Sequence, residues 1–82
     1  MIEQTFIELE FDKVIIPAEE LGSPNDCYYY RRQIGETVLI TNTDDDAVEE
    51  GWWASILELV DLRIKGSGDL TELIRILELN TV

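Results

Sequence analysis

Two runs rich in strand-forming residues, 27–33 and 36–41, flank Ile34-Gly35, and this spacing constrains the fold more than any other feature. Glycine at the second turn position permits a positive φ, so the two runs are predicted to close as a tight antiparallel hairpin. The predicted register sets Tyr29 near Ile40 and Tyr30 near Leu39, with one of the three consecutive tyrosines inward and two outward. Upstream, residues 5–11 alternate: Ile7, Leu9 and Phe11 point one way, Phe6, Glu8 and Glu10 the other. That is the period of a half-buried strand. The parity breaks at Asp12-Lys13, where a bulge or turn is expected. One helical turn follows over residues 17–21, then a loop over Gly22-Ser23-Pro24-Asn25-Asp26.

Past the hairpin, Thr43 is a suitable N-cap for Asp44-Asp45-Asp46, acids that favour the positive first turn of a helix. Helical spacing then aligns Val48, Trp52, Ser55, Ile56, Leu59 and Val60 as a core stripe and predicts a helix over 44–61. Gly51 opposes it by roughly 1 kcal/mol. On that helix Trp53 and Leu57 share the outer face with Asp46, Glu50 and Asp61. The competing reading ends the helix near Ile56 with a strand after it, or buries both tryptophans. Asp69-Leu70-Thr71-Glu72 reads as a capping box opening a helix with Leu70, Leu73, Ile74 and Leu77 on one side. Ile-Leu-Glu-Leu occurs at both 56–59 and 76–79, so helix and strand both stay open there. The expected fold is α+β: one domain, 1–82, with a small antiparallel meander packed against one or two helices.

Function is narrowed mainly by charge. Eighteen acids oppose six bases, for a net −12. Phosphate contacts come from Lys and Arg, so direct nucleic-acid binding is not expected, and an anionic membrane surface repels such a chain. With no histidine, Ser-His-Asp and Cys-His catalysis and histidine metal sites are excluded. Cys27 is the one cysteine and forms no internal disulfide. The start lacks the charged and apolar pattern of a signal peptide, so a cytoplasmic location is expected. Three consecutive aspartates do not match the alternating ligand spacing of a calcium loop. No catalytic residue, metal or cofactor is therefore assigned, and a non-enzymatic interaction protein is expected.

The acids are unevenly placed. Between Arg32 and Arg63 lie Glu36, Asp44, Asp45, Asp46, Glu49, Glu50, Glu58 and Asp61 and no base. On the predicted first strand Glu8, Glu10 and Asp12 form a second row of negative charge. Such a field attracts a protein with a basic nucleic-acid groove and speeds the encounter. The expected binding residues are Asp44, Asp45, Asp46, Glu49, Glu50, Glu8, Glu10 and Asp12 as steering acids, with Trp53 and Leu57 as an apolar anchor.

In size, in the base-free acidic run and in the absence of a catalytic set, the chain resembles the small acidic anti-CRISPR and antirestriction inhibitors of bacteriophages, which mimic nucleic acid. The resemblance implies a stoichiometric inhibitor of a CRISPR surveillance complex or nuclease in the bacterial host cytoplasm. An immunity protein neutralising a nuclease toxin, or an acidic adaptor subunit with Trp53 and Leu57 as a homodimer patch, are the alternatives.

Overall fold

The computed structural model describes residues 1–59 and 61–81. Its elements, in chain order, are α1 (Glu3–Glu8), β1 (Asp12–Ile16), α2 (Ala18–Leu21), β2 (Cys27–Ile34), β3 (Thr37–Thr41), α3 (Asp44–Glu50), β4 (Ala54–Ile56) and α4 (Ser67–Leu79). The strands form one antiparallel meander in the order β1-β2-β3-β4, so the α+β expectation holds. No described helix is long and apolar enough to cross a membrane.

The hairpin forms between β2 and β3, but its turn lies one residue later than predicted. Ile34 pairs with Thr37 and Arg31 with Ile40. Gly35 takes φ +61° at the first of the two loop residues, the place where a type II′ turn needs glycine. Every cross-strand partner moves by two residues, which leaves each side chain on its original face. Tyr28 and Tyr30 both point toward the core and Tyr29 points away from it, so two tyrosines face inward rather than one.

Residues 5–11 are not a strand. The chain helps build α1 and then reverses, because one phenylalanine is worth more buried than the alternating set. Phe6 is 0% exposed, with ring centroids 5.4 Å from Phe11, 5.4 Å from Tyr30 and 5.6 Å from Trp52. Ile7, assigned to the inner face, is 54% exposed. The helix ends in a Schellman motif: Phe11 N–H donates to Phe6 O (2.9 Å) and Glu10 N–H to Ile7 O (3.1 Å). The Phe6–Phe11 ring contact is the apolar clasp that accompanies such a stop. Glu10, at φ +63°, occupies the left-handed position that glycine usually fills.

The helix predicted over 44–61 stops at Glu50. Gly51 adopts φ 76° and ψ 170°, a region essentially reserved for glycine, and the chain runs on into β4. Val48, placed on the core stripe, is 86% exposed, and Val60 lies outside the described residues. Trp52 does turn inward, against Phe6, Tyr28 and Tyr30. The helix α4 begins at Ser67 with Gly66 as its N-cap, leaving Asp69 in the first turn rather than at the cap. Leu70 and Ile74 are buried and Leu73 and Leu77 pack beside them, as their spacing required. The two Ile-Leu-Glu-Leu copies therefore differ: 76–79 is helical, while 56–59 ends β4 and turns.

The core comprises Phe6, Phe11, Tyr30, Ile34, Leu39, Ala54, Leu70 and Ile74. All its strand residues point to one sheet face, which α1 and α4 cover. The opposite face carries Val14, Ile16, Tyr29, Val38 and Ile40, each half-buried and none part of the core cluster. An antiparallel sheet with one wet face usually alternates apolar with polar residues. Here β1 and β3 are apolar on both sides.

The left-handed Glu10 gives a direct test. A non-glycine residue in that conformation costs about 1–2 kcal/mol. Glu10→Gly should therefore raise stability by about 1 kcal/mol in urea denaturation, despite glycine's greater freedom in the unfolded chain.

Candidate interaction surface

The short helix α3 and the segment after it build the acidic end of the molecule. Thr43 caps α3, its hydroxyl accepting from Asp46 N–H at 3.4 Å, as its position before the aspartates required. Two of the three aspartates then fasten α3 to the start of β2. Asp44 Oδ1 accepts from Tyr28 N–H at 2.9 Å, and Asp45 Oδ2 accepts from the Cys27 thiol at 2.7 Å. Asp46, Glu49 and Glu50 are exposed.

The hydrogen bond to Asp45 pushes the Cys27 thiol up to about 11, with burial and the negative charge of Asp45, Asp44 and Asp46 adding to the effect. Donor atoms of Cys27, Asp44 and Asp45 lie within 4.8 Å of one another, but the thiol holds its proton against Asp45. Thiol and carboxylate are thus a structural pair.

Trp53 is set by Asn42, a buried residue that sequence reasoning did not single out. Asn42 Oδ1 accepts from Trp53 N–H (3.1 Å), and its Nδ2 donates to Gly51 O (2.9 Å). With the backbone so held, Trp52 enters the core and Trp53 emerges on the other side. The Trp53 indole N–H donates to Glu50 Oε2 at 2.9 Å. The Arg63 guanidinium lies 4.0 Å from the indole centroid, a cation–π contact.

Trp53 and Leu57, expected one helical turn apart, are instead two positions flanking a strand. Both still line one groove, about 340 Å³, with Ile16, Tyr29, Ile40 and Asp46. Leu57 is 53% exposed. The groove lies on the sheet face that no long helix covers. Tyr29, Ile40 and Ile16 were not among the expected residues. The doubly apolar patterns Val14-Ile15-Ile16 and Val38-Leu39-Ile40 were the available signal for them.

The second acidic row does not exist. Glu8 ends α1, Glu10 is its left-handed stop and Asp12 opens β1, because 5–11 is not a strand. Glu8 and Glu10 border a different cleft, with Arg32, Arg75 and Glu78. There Arg32 bonds Glu78 at 3.0 Å and lies 3.9 Å from Glu10, so part of that negative charge is locally offset. Asp12 sits opposite Arg31 in the sheet. The acids gathered around the Trp53 groove are Asp46 and Glu50, with Asp44, Asp45 and Glu49 on the same short helix.

No protein-family model matches the chain, and no curated protein or solved structure is significantly similar to it.

The two tryptophans should respond differently to truncation. Trp52→Ala opens the aromatic core and should cost about 3 kcal/mol. Trp53, half-buried and outside the core cluster, forfeits on truncation one exposed hydrogen bond, one cation–π contact and part of its packing, and Trp53→Ala should cost less, about 1–2 kcal/mol. Thermal melts of both variants check this order. Cys27 gives a pH test. Its ordinary pKa is 9.0 and its folded value about 11. Below pH 9 both folded and unfolded forms hold the proton and the shift has no effect on the pH slope. Between pH 9 and 11 the unfolded chain releases it first, so stability falls as pH rises. Cys27→Ser, which keeps a donor for Asp45, should flatten that part of the denaturation profile.

Proposed function

We propose that the protein is a non-enzymatic inhibitor that binds stoichiometrically to a basic nucleic-acid-processing protein, such as a CRISPR surveillance complex or a nuclease, in a bacterial cytoplasm. One observation carries the reading: an apolar groove with Trp53 and Leu57 in its wall is bordered by carboxylates of α3, on a chain of net charge −12. This is the anatomy of an interface with an apolar centre and a charged rim. The α3 acids supply the nucleic-acid-like field, and the groove supplies the part of the affinity that salt does not screen. An immunity protein against a nuclease toxin would offer the same surface, and the identity of the captured partner separates the two. Homodimerisation through the groove is disfavoured, because it brings together two strongly negative bodies.

Affinity capture from bacterial lysate with mass spectrometry identifies the target, and titration against its activity gives the stoichiometry. Inactivation of excess target by substoichiometric protein would show catalysis and reject the reading. Reversing Asp46, Glu49 and Glu50 together to lysine should slow association by about tenfold or more, since steering is a property of the summed field. Added salt should slow association of the unaltered protein in the same way while changing dissociation little. Surface plasmon resonance on the captured pair measures both rates.

A further inference from the structure

The chemistry along the Trp53 groove changes from one end to the other. Ile16, Tyr29, Ile40 and Leu57 make apolar walls, Trp53 contributes an indole, and Asp46 brings a carboxylate. Glu50, bonded to the same indole, is exposed beside it. A ligand that satisfies all of these has an apolar stem several atoms long and a cationic end. A purely apolar side chain would leave the Asp46 carboxylate to be desolvated without a partner, which is costly. A compact cation would gain nothing from the walls.

The chain itself supplies a second, independent observation. Arg63 already stacks on Trp53, with its guanidinium 4.0 Å from the ring centroid, and Arg63 is not one of the groove residues. One face of this indole is thus already taken by a planar cation, and an incoming one meets the carboxylates of Asp46 and Glu50 beside the ring rather than that face. Guanidinium is more weakly hydrated than ammonium, stacks on aromatic faces and meets a carboxylate through two parallel hydrogen bonds.

Building on the proposed binding to a basic protein, we infer that the groove seats an arginine side chain of that partner. Its methylene stem lies on Tyr29, Ile40 and Leu57, and its guanidinium reaches Asp46 beside Trp53. The groove, about 340 Å³ and open to solvent, has room for one long side chain. It acts as a socket for a single anchor within a larger contact, and the acids of α3 steer the surrounding basic surface toward it.

The probe is a capped pentapeptide, Lys-Leu-Arg-Leu-Lys, with two analogues in which the central arginine is citrulline or lysine. Citrulline keeps the shape of arginine and removes its charge. NMR titration at low salt reads the Trp53 indole N–H and the Ile40 and Leu57 methyl groups. The arginine peptide should move all three saturably. The citrulline and lysine analogues, and the arginine peptide on Asp46→Asn, should each bind about three- to fivefold more weakly, the range of a partly exposed charge pair. Asp46→Asn leaves in place the backbone N–H that Thr43 caps, so α3 keeps its start.

Equal affinity for arginine and citrulline, or for arginine and lysine, overturns the inference. So do shifts confined to α3, in which case the acidic-surface reading survives without the socket. Failure of all three peptides to bind, although each carries flanking lysines, counts against both. Concentration-dependent self-association through the same methyl groups overturns the inference in favour of a second copy of the chain.

Discussion

Phe6 is the side chain on which the arrangement of the molecule depends. Its ring meets Phe11, Tyr30 and Trp52, and so joins α1, the centre of the sheet and the segment that leaves α3. Aromatic contacts at these separations add to a large burial of apolar area. Because Trp52 is drawn into this cluster, its neighbour must emerge on the opposite side of the chain. Asn42 then fixes that neighbour through two hydrogen bonds to the same segment. The orientation of the half-buried Trp53 is thus a consequence of core packing.

The α+β class and the central hairpin were legible because Gly35 and two strand-forming runs act locally. The turn position was off by one residue; the two-residue slip preserves the parity of cross-strand pairing, but strand alternation puts Tyr28 beside Tyr30 on the inner face, so the expected count of one inward tyrosine was wrong. The 5–11 segment misled for a physical reason: its alternation is real, but burial of Phe6 in a tertiary aromatic cluster overrides a weak local pattern. Trp53 and Leu57 were placed together by a mistaken helix and are together anyway. Residues four apart share a face in a helix and also in a strand. The neighbours that complete the groove come from β1, β2 and β3, and only strand register brings them to one place.

The acidic residues divide into two kinds. Asp44 and Asp45 are partners of a backbone amide and a thiol at the start of β2, and so belong to the scaffold. Asp46, on the same first turn, and Glu49 and Glu50, on the next, face water. A helix of seven residues is too short to be stable alone. Its position depends on those first two carboxylates, and the exposed three inherit their placement. Sequence reading could not separate them, because the five acids are chemically alike and differ only in what lies opposite.

β1 ends the sheet on one side, with the backbone groups of its outer edge open to water. Exposed edges of this kind invite strand-to-strand zipping between molecules, and a lysine commonly blocks it. Lys13 is the basic residue available on β1, but its ammonium lies 4.0 Å from the Tyr28 ring centroid, folded back across the sheet. Ile15 on the same strand is 60% exposed. Protection against fibrous assembly therefore falls to long-range repulsion between whole molecules. The net −12 thus serves colloidal solubility as well as the proposed attraction to a cationic surface. If the proposed recognition holds, the two roles cannot be tuned separately: each acid removed to weaken it also lowers the barrier that keeps copies of the chain apart.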